Sequence, residues 1–475
     1  MQGDSASFFW YDLETSGTVS RWDRIVQFAG IRTDHELNET GESYSAYIHL
    51  PDDVLPNPDS VLVTGITPQL THAEGIGEWQ AMTRINELFS APQTCVVGYN
   101  SLRFDDEFMR YGLYRMLIDP YAREWQNGNS RWDIIDLVRA TGALRRDGIT
   151  WPVDEEGLPV YRLEALTRAN GLEHGHAHDA TSDVRATISL ARLIKTQQPK
   201  LFDYYFRSRF KKQVKALLEP YGSRLCVHVS GMYPRARFGV APIMSLCRHP
   251  TNSNSVIVAD LGQDIESLVQ WPEQRIREEL FKAGNAERPP LKEIRINRCP
   301  FVAGIEVLNR ENWSRLALDR GEIEERQRRL MKPGIAQKIR QVFSQRKQSP
   351  AEDVEGALYE AFLKDEDRAR CQSLQRALGE GSWLELDYTD KRLRTLAMRL
   401  KARGFTERLS ASERADWNEF VSRKLRADDA PWFGLARFQN RVEDLLIEAR
   451  EAGRDLTVLH QLADHGRLMA ETYPE

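Results

Sequence analysis

Cysteine is scarce in this chain of 475 residues: it has five, and they are scattered. No two of them form a C-x-x-C pair, so the sequence predicts neither a disulfide framework nor a zinc ribbon. The sequence also lacks the roughly 18 consecutive apolar residues that a membrane-spanning helix needs. No basic segment precedes an apolar stretch near Met1, so we expect no signal peptide. These absences together favour a reducing cytoplasm without membrane attachment.

Positive charge is not in excess either, because 65 Lys and Arg face 70 Asp and Glu, for a net charge of −5. This balance argues against a protein that coats duplex DNA through bulk positive charge. No helix-turn-helix pattern or zinc-finger spacing is present. An enzyme with a locally basic groove on an acidic background remains compatible with this composition.

The length predicts about three domains at roughly 150 residues each, and the pattern changes character along the chain. Over residues 1–198, strand-like runs alternate with amphipathic helices, which predicts an α/β domain. Over 199–347, short apolar runs broken by Gly and Pro predict a small β barrel or sandwich with flanking helices. The polar stretch 348–356 is interpreted as a linker, and 357–475 as an all-helical domain with apolar stripes every 3.6 residues.

Two acidic residues end the first strand-like run, FFWYDLET. Asp12 and Glu14 are two positions apart, so on a strand both side chains point to the same face. Two carboxylates held together repel each other unless a cation offsets them, and a divalent ion with oxygen ligands does so. The alternative is that Glu14 lies in solvent just beyond the strand.

Further acidic residues follow at two helix starts. Asp105 and Asp106 come directly after an apolar strand, where either could serve only to stabilise a helix N-terminus. In HAHDATSDVRA, Asp183 lies five residues after His178, and Asp179 could cap the helix. An imidazole near a carboxylate suits a general base beside a metal ligand, although each residue alone could equally be a surface residue.

The order of these motifs within about 180 residues resembles the His-containing branch of the DEDD exonuclease superfamily, which has a ribonuclease-H-like fold. The resemblance implies two divalent ions per active site, Mg²⁺ or possibly Mn²⁺. It implies that Asp12, Glu14 and Asp183 are metal ligands, that Asp105 reaches the second ion and that His178 is the general base. Two such ions stabilise the attacking and leaving oxygens of a phosphodiester. The neighbouring residues Asp106 and His176 lack the family's spacing, and Asp106 is expected to cap a helix or face solvent.

The resemblance extends along the whole chain to bacterial exonuclease I. It is carried by the segments TGITPQ at 64–69, NSRWDIIDLVRA at 129–140, YRLEALTRANGLEH at 161–174, LFDYYF at 201–206, VHVSGM at 227–232, HPTNSNSVIVADL at 249–261 and INRCP at 296–300. The fold it implies is a ribonuclease-H-like exonuclease domain, an SH3-like β-barrel and an all-helical C-terminal domain around a groove. The activity it implies is processive 3′→5′ hydrolysis of single-stranded DNA with a free 3′ end, by a monomer that acts in repair and recombination. The products would be 5′-mononucleotides.

The resemblance also implies residues that hold the strand and a partner. The expected substrate contacts are Glu14, Thr64, Gly65, Ile66, Phe104, Trp125, Trp132 and Arg162. Each aromatic residue could instead pack in the core, Trp132 on a helix for instance, whereas the polar surroundings of Trp125 favour exposure. Arg145 and Tyr204 match the site for the acidic C-terminal tail of single-stranded-DNA-binding protein, but Asn309 stands where the family has another arginine. The basic helix 391–403 could be a solvated face or could track the strand.

Two other functions remain open at this stage. A proofreading or RNA-trimming nuclease of the same superfamily would share the motifs, but those enzymes are typically single domains. A catalytically silent scaffold would be expected to have lost a carboxylate, and this chain retains all four together with the histidine.

Overall fold

A computed structural model describes residues 6–172, 180–282, 284, 288–344 and 350–474. The chain divides into two compact units. The first combines Met1–Asn129, Gly175–Arg185 and Ser349–Glu475, and the second combines Ser130–His174 and Ala186–Gln348. Within the described residues, no helix is both long enough and apolar enough to cross a bilayer.

The first 129 residues contribute strands and helices to the first unit. They are β1 Ser7–Thr15, β2 Ile25–Thr33, β3 Glu39–Tyr47, α1 Pro58–Thr64, α2 Pro68–Glu74, α3 Glu78–Ser90, β4 Thr94–Gly98 and α4 Asp105–Arg115. Short 3-10 helices follow at Ala122–Glu124 and Gln126–Gly128.

The middle of the chain forms most of the second unit. Its elements are β5 Ser130–Asp133, α5 Ile135–Leu144, α6 Leu163–Ala169, α7 Ala180–Gln197, α8 Pro199–Arg207, α9 Lys211–Leu218, β6 Leu225–Val229, β7 Val240–Arg248, β8 Ser255–Asp260, α10 Glu266–Gln270, α11 Glu273–Phe281, β9 Leu291–Arg295, β10 Phe301–Gly304, α12 Arg310–Arg315, α13 Arg320–Leu330 and α14 Ile335–Val342. Short 3-10 helices lie at Arg235–Arg237 and Ile305–Val307. Helix α7 begins in the first unit and continues into the second after Arg185.

The last part of the chain returns to the first unit and is helical. It comprises a 3-10 helix at Val354–Tyr359, α15 Asp365–Gly379, α16 Lys391–Gly404, a 3-10 turn at Thr406–Arg408, α17 Ala411–Leu425, α18 Leu435–Glu451 and α19 Thr457–Thr472. The predicted order of an α/β region, a small β region and a helical region is confirmed.

Strand β1 lies inside the sheet of the first unit, antiparallel to β2 and parallel to β4, while β3 pairs with the far side of β2. Its sequence SFFWYDLET is rich in aromatic residues, which favour strands, and nearly all of it is buried. A β-bulge interrupts the pairing of β1 with β2 between Glu14 and Thr15. The predicted carboxylates therefore stand at the end of a buried, largely apolar strand.

The core beside this sheet is shared between the two ends of the chain. Apolar residues of β1, α3 and α4, such as Phe9, Ile85 and Phe108, cluster with Leu374 and Leu396 of the C-terminal helices. The 3-10 helix 354–359 belongs to this packing, because Tyr114 Oη donates a 3.1 Å hydrogen bond to the carbonyl of Val354. Residues 354–356, which the sequence predicts as part of a linker, are thus folded against α4.

The second unit is built on an antiparallel sheet in the order β10-β6-β7-β8-β9. One apolar cluster joins β7 and β8 to α10, α11, α13 and α14, and another joins β6 and β7 to α9. This small sheet with flanking helices agrees with the β domain that the sequence predicts.

Candidate active site

Three carboxylates converge at the end of β1. Ligand oxygens of Asp12, Glu14 and Asp183 all lie within 4.8 Å of one another. Asp12 and Glu14 come from one face of β1, and Asp183 comes from the first turn of α7. Glu14 is only 8% exposed, and the other two are half-buried.

This group has the chemistry of a divalent-ion site. Three acids so close together repel one another, and their partial burial strengthens that repulsion unless a cation is bound. The donors are all carboxylate oxygens, which suit Mg²⁺ or Mn²⁺ better than a soft metal. Among the residues that the structure describes, no other group of three or more acidic, histidine or cysteine residues is close enough to share an ion.

Asp105 begins α4 and is buried. The preceding residue, Phe104, is half-buried and packs against Phe108 with ring centroids 4.9 Å apart. The acid beside it differs from the expectation, because Asp106 neither caps the helix nor faces solvent. It is buried and accepts a 2.7 Å hydrogen bond from Arg123 Nη2, while Arg110 Nε lies 3.4 Å away. The two arginines offset the charge of this buried acid.

His178 lies outside the described residues, as do His176 and Asp179. The structure therefore adds nothing on the predicted general base. In the sequence it stands five residues before Asp183, which α7 carries.

The predicted loop at 64–66 ends α1. Gly65 has φ +71°, a left-handed conformation that glycine adopts without strain and that ends the helix there. Ile66 is buried in a small apolar cluster, Thr64 is half-buried, and the Ile66 amide donates a 3.2 Å hydrogen bond to Thr64 Oγ1. Only Gly65 of the three is exposed.

The two predicted tryptophans differ sharply in exposure. Trp125, in the first unit, is 67% exposed. Trp132, in the second unit, is 0% exposed and lies on β5 rather than on a helix. Its ring contacts Phe202, Tyr205 and Phe206. The geometry of Trp132 favours the alternative of core packing over base stacking.

A further exposed aromatic residue was not predicted. Phe362 is 83% exposed, and its ring lies 6.5 Å from that of Tyr121. Nearby, Tyr359 Oη donates a 2.6 Å hydrogen bond to Glu107 on α4. The sequence signal, an aromatic pair inside the charged stretch LYEAFLKDED, resembles that of any amphipathic segment and so could not single Phe362 out.

The remaining predicted residues lie in the second unit. Arg162 is exposed immediately before α6. Arg145 donates hydrogen bonds to the carbonyls of Leu144 and Val307, and Tyr204 Oη donates one of 2.7 Å to Val302. Asn309 caps α12 in a reciprocal capping box with Asn312. The asparagine at 309 therefore has a local structural role in this chain.

Comparisons with known proteins extend this picture. Three family models match the chain: Exonuclease over residues 9–191, Exonuclease I SH3-like domain over 209–345 and Exonuclease I C-terminal domain over 352–469. These matches confirm the predicted fold class. Exodeoxyribonuclease I of Escherichia coli strain K12 is 41% identical over 421 residues, covering 87% of this chain and 89% of the relative.

Solved structures resemble the fold over almost its full length. The structure of E. coli exonuclease I in complex with a dA16 oligonucleotide matches with a TM-score of 0.91 and 38% identity, covering 98% of this chain and all of that one. A structure of SSB/exonuclease I in complex with the inhibitor CFAM matches with a TM-score of 0.89 and 37% identity, again covering 98% of this chain and all of that one.

Proposed function

Because the chain belongs to the exonuclease I family and is a nuclease, we propose that it degrades single-stranded DNA from a free 3′ end. The products are 5′-mononucleotides, released processively, and the cellular setting is DNA repair and recombination. The observation that carries this proposal is the convergence of Asp12, Glu14 and Asp183 within 4.8 Å. The DNA substrate is supported by the exodeoxyribonuclease relative and by the oligonucleotide complex of a protein with 38% identity.

The three convergent carboxylates would hold one divalent ion, and Asp105 would contact a second one through water. Bound Mg²⁺, or Mn²⁺ in its place, supplies charge stabilisation at the phosphate and at the leaving oxygen and makes a nearby water more acidic. His178 accepts the proton of the attacking water at an imidazole nitrogen, since histidine titrates near neutral pH. Glu14 also contacts the terminal nucleotide.

Single strands are held by stacking on aromatic rings and by cations along the phosphates. Trp125 and Phe362 are the exposed rings of the first unit best suited to stacking on bases. Phe104, Thr64, Gly65 and Ile66 line the terminal nucleotides, and the exposed Arg162 contacts a phosphate. Trp132 is left out of this set because it is 0% exposed and packs against Phe202, Tyr205 and Phe206.

The partner we propose is the acidic C-terminal tail of single-stranded-DNA-binding protein, supported by the SSB complex of a similar protein. Arg145 and Tyr204 would receive it. The enzyme acts as a cytoplasmic monomer, with domains at 1–198, 199–347 and 357–475 joined through 348–356.

One assay tests the proposal as a whole. Purified protein is incubated with Mg²⁺ and with 3′- or 5′-labelled single-stranded DNA, duplex DNA or RNA of one sequence. We expect mononucleotides from single-stranded DNA only, and long 5′-labelled strands that shorten to completion in the presence of unlabelled trap. Cleavage in EDTA, preference for RNA, or release of mononucleotides from the 5′ end would contradict the proposal.

A further inference from the structure

Arg24 is the last residue of the turn between β1 and β2, and it is 1% exposed. Its guanidinium donates a 2.7 Å hydrogen bond to the carbonyl of Trp22 and a 2.5 Å one to the carboxylate of Glu355. Glu355 lies 331 positions away in the chain, in the 3-10 helix 354–359. An ion pair therefore joins the turn between β1 and β2 to the C-terminal helical region inside one compact unit.

Glu355 is the centre of a buried charge network. It is 2% exposed and also accepts hydrogen bonds from Arg399 at 3.1 Å and Arg403 at 2.5 Å, both on α16. Arg403 in turn donates to the buried Asp53. Burial by itself raises the pKa of the Glu355 carboxyl, but the charges of Arg403 and Arg24 outweigh it and lower the pKa well below its usual range. Glu355 is therefore ionised at neutral pH.

Stability alone is a weak reason for such a network. Removing several charges from water costs about as much as their mutual attraction returns, and apolar packing of equal volume often does as well. What a buried, directional ion pair supplies in addition is a fixed geometry.

Arg24 is clamped to the residues that follow Glu14. The Ser16 amide donates to the Arg24 carbonyl at 2.8 Å, and the Arg24 amide donates to Ser16 Oγ at 2.9 Å. The carbonyl of Ser16 also accepts a 2.7 Å hydrogen bond from the Asn57 amide. Ser16 is only two residues beyond Glu14, and the β-bulge interrupts the pairing of the two strands between Glu14 and Thr15. Glu14 pairs with Gln27 and Thr15 with Ile25, so the extra residue of the bulge is Val26 on β2, two residues after Arg24. Bulges redirect side chains near active sites, and this one lies opposite Glu14.

We propose that Glu355 is a positioning residue for the carboxylates of β1: through Arg24 and Ser16 it holds the end of β1, opposite the bulge of β2, so that Glu14 stays beside Asp12 and Asp183. The proposal rests on the metal site of the proposed function. It gives the C-terminal helical region a second purpose, support of the ion site, that is separate from any contact with DNA. Loss of Glu355 should weaken metal binding even when no nucleic acid is present.

The test measures Mn²⁺ binding by electron paramagnetic resonance, without DNA, at a temperature where circular dichroism shows every variant folded. We expect Glu355→Gln to raise the Mn²⁺ dissociation constant about tenfold, at the low end of the effect of outer partners on metal ligands. The matched control is Asp367→Asn. Asp367 is also buried, and it accepts hydrogen bonds from Arg370, Thr389 and Asp390, all in the C-terminal region. The Asp367→Asn variant should have a lower melting temperature, but its Mn²⁺ affinity should differ from that of the wild type by less than about twofold.

A second variant changes Arg24, the other member of the ion pair with Glu355. Arg24→Met removes the charge but leaves Glu355 with Arg399 and Arg403, so it should fold even if Glu355→Gln does not. If both residues act through one ion pair, the double variant binds Mn²⁺ no more weakly than either single variant. Additive losses, or Arg24→Met with wild-type affinity, would overturn the proposal, as would equal effects of Glu355→Gln and Asp367→Asn.

The Asp12→Asn variant distinguishes a failure of the proposed metal site from a failure of the positioning role of Glu355. If Asp12→Asn binds Mn²⁺ as tightly as the wild type, the metal site itself is wrong and both proposals fail. If Asp12→Asn loses the ion while Glu355→Gln keeps it, the metal site stands and only the positioning role of Glu355 is refuted.

Discussion

Arg123 Nη2 donates a 2.7 Å hydrogen bond to the buried carboxylate of Asp106, the residue next to Asp105. Two adjacent acids of α4 thus have different environments. Asp106 is neutralised by Arg123 and Arg110, whereas Asp105 is the acid we assign to the second ion. The pair makes it possible to separate stability from catalysis at neighbouring positions.

Replacing Asp106 with Asn should destabilise the protein by about 3–5 kcal/mol, because Arg123 keeps its buried charge and loses the nearer of its two counter-charges, with only Glu124 left at 4.0 Å. Chemical denaturation measures the loss. Protein that remains folded should still cleave single-stranded DNA. Asp105→Asn should show the reverse, with near-normal stability and strongly reduced cleavage, and the assignment of Asp105 fails if its variant cleaves normally.

Asp12→Asn should abolish Mg²⁺-dependent cleavage. It removes a ligand and also relieves carboxylate repulsion, so the melting temperature without metal should be unchanged or higher. Added Mg²⁺ should raise the melting temperature of the wild type, because the ion binds only the folded state, and should leave that of the variant unchanged. An equal rise in both proteins would place the ion elsewhere.

His178→Ala should lower the single-turnover rate roughly 10²–10⁴-fold, the range for a positioned proton acceptor. Single-stranded DNA affinity, measured in Ca²⁺ to prevent cleavage, should hardly change. His176→Ala is the control on the same segment and should retain activity. A collapse of binding instead of turnover would make His178 a structural residue.

Trp125 and Trp132 form a matched pair, one exposed and one in the core. Trp125→Ala should weaken single-stranded DNA binding by about 1–3 kcal/mol, the worth of one base–aromatic stack, with an unchanged melting temperature. Trp132→Ala should cost about 3–5 kcal/mol of stability because it leaves a cavity among aromatic rings. Fluorescence anisotropy and denaturation curves distinguish the two outcomes.

Burial lowers the pKa of His465, on α19, to about 4 from its ordinary 6.5. Between pH 6.5 and pH 4, His465 is protonated in the unfolded chain but not in the folded chain. The free energy of unfolding therefore decreases as the pH falls through this range. Between pH 7 and pH 5 the loss should be about 2 kcal/mol. His465→Gln should lose less stability over this range, and identical pH profiles for the two proteins would contradict the burial effect.

The sequence predicted most reliably what depends on neighbouring residues. Asp12 and Glu14 face one way because side chains alternate along a strand. The family resemblance, carried by short segments along the whole chain, is confirmed by the three matching domains. Trp125 could be predicted as exposed because its neighbours in REWQNGN are polar or charged, apart from one glycine.

What the sequence could not predict depends on partners far along the chain. Glu355 lies in a polar stretch that is typical of a linker, and its burial requires Arg24, 331 positions earlier. Arg399 and Arg403 belong to a basic helix that could as well be solvated, yet both are buried in ion pairs. Likewise, Trp132 is buried because α8 supplies Phe202, Tyr205 and Phe206.

Because the two ends of the chain share one core, part of this core can fold only late in synthesis. Tyr114 can form its hydrogen bond to Val354 only after 240 more residues have been synthesised. At about 5–20 residues per second, their synthesis takes roughly 10–50 s. During that interval the nascent chain carries the acids of β1 but exposes the apolar face of α4, a natural target for chaperones. The packing that completes the core beside β1 therefore forms only after the residues of α15 and α16 have emerged.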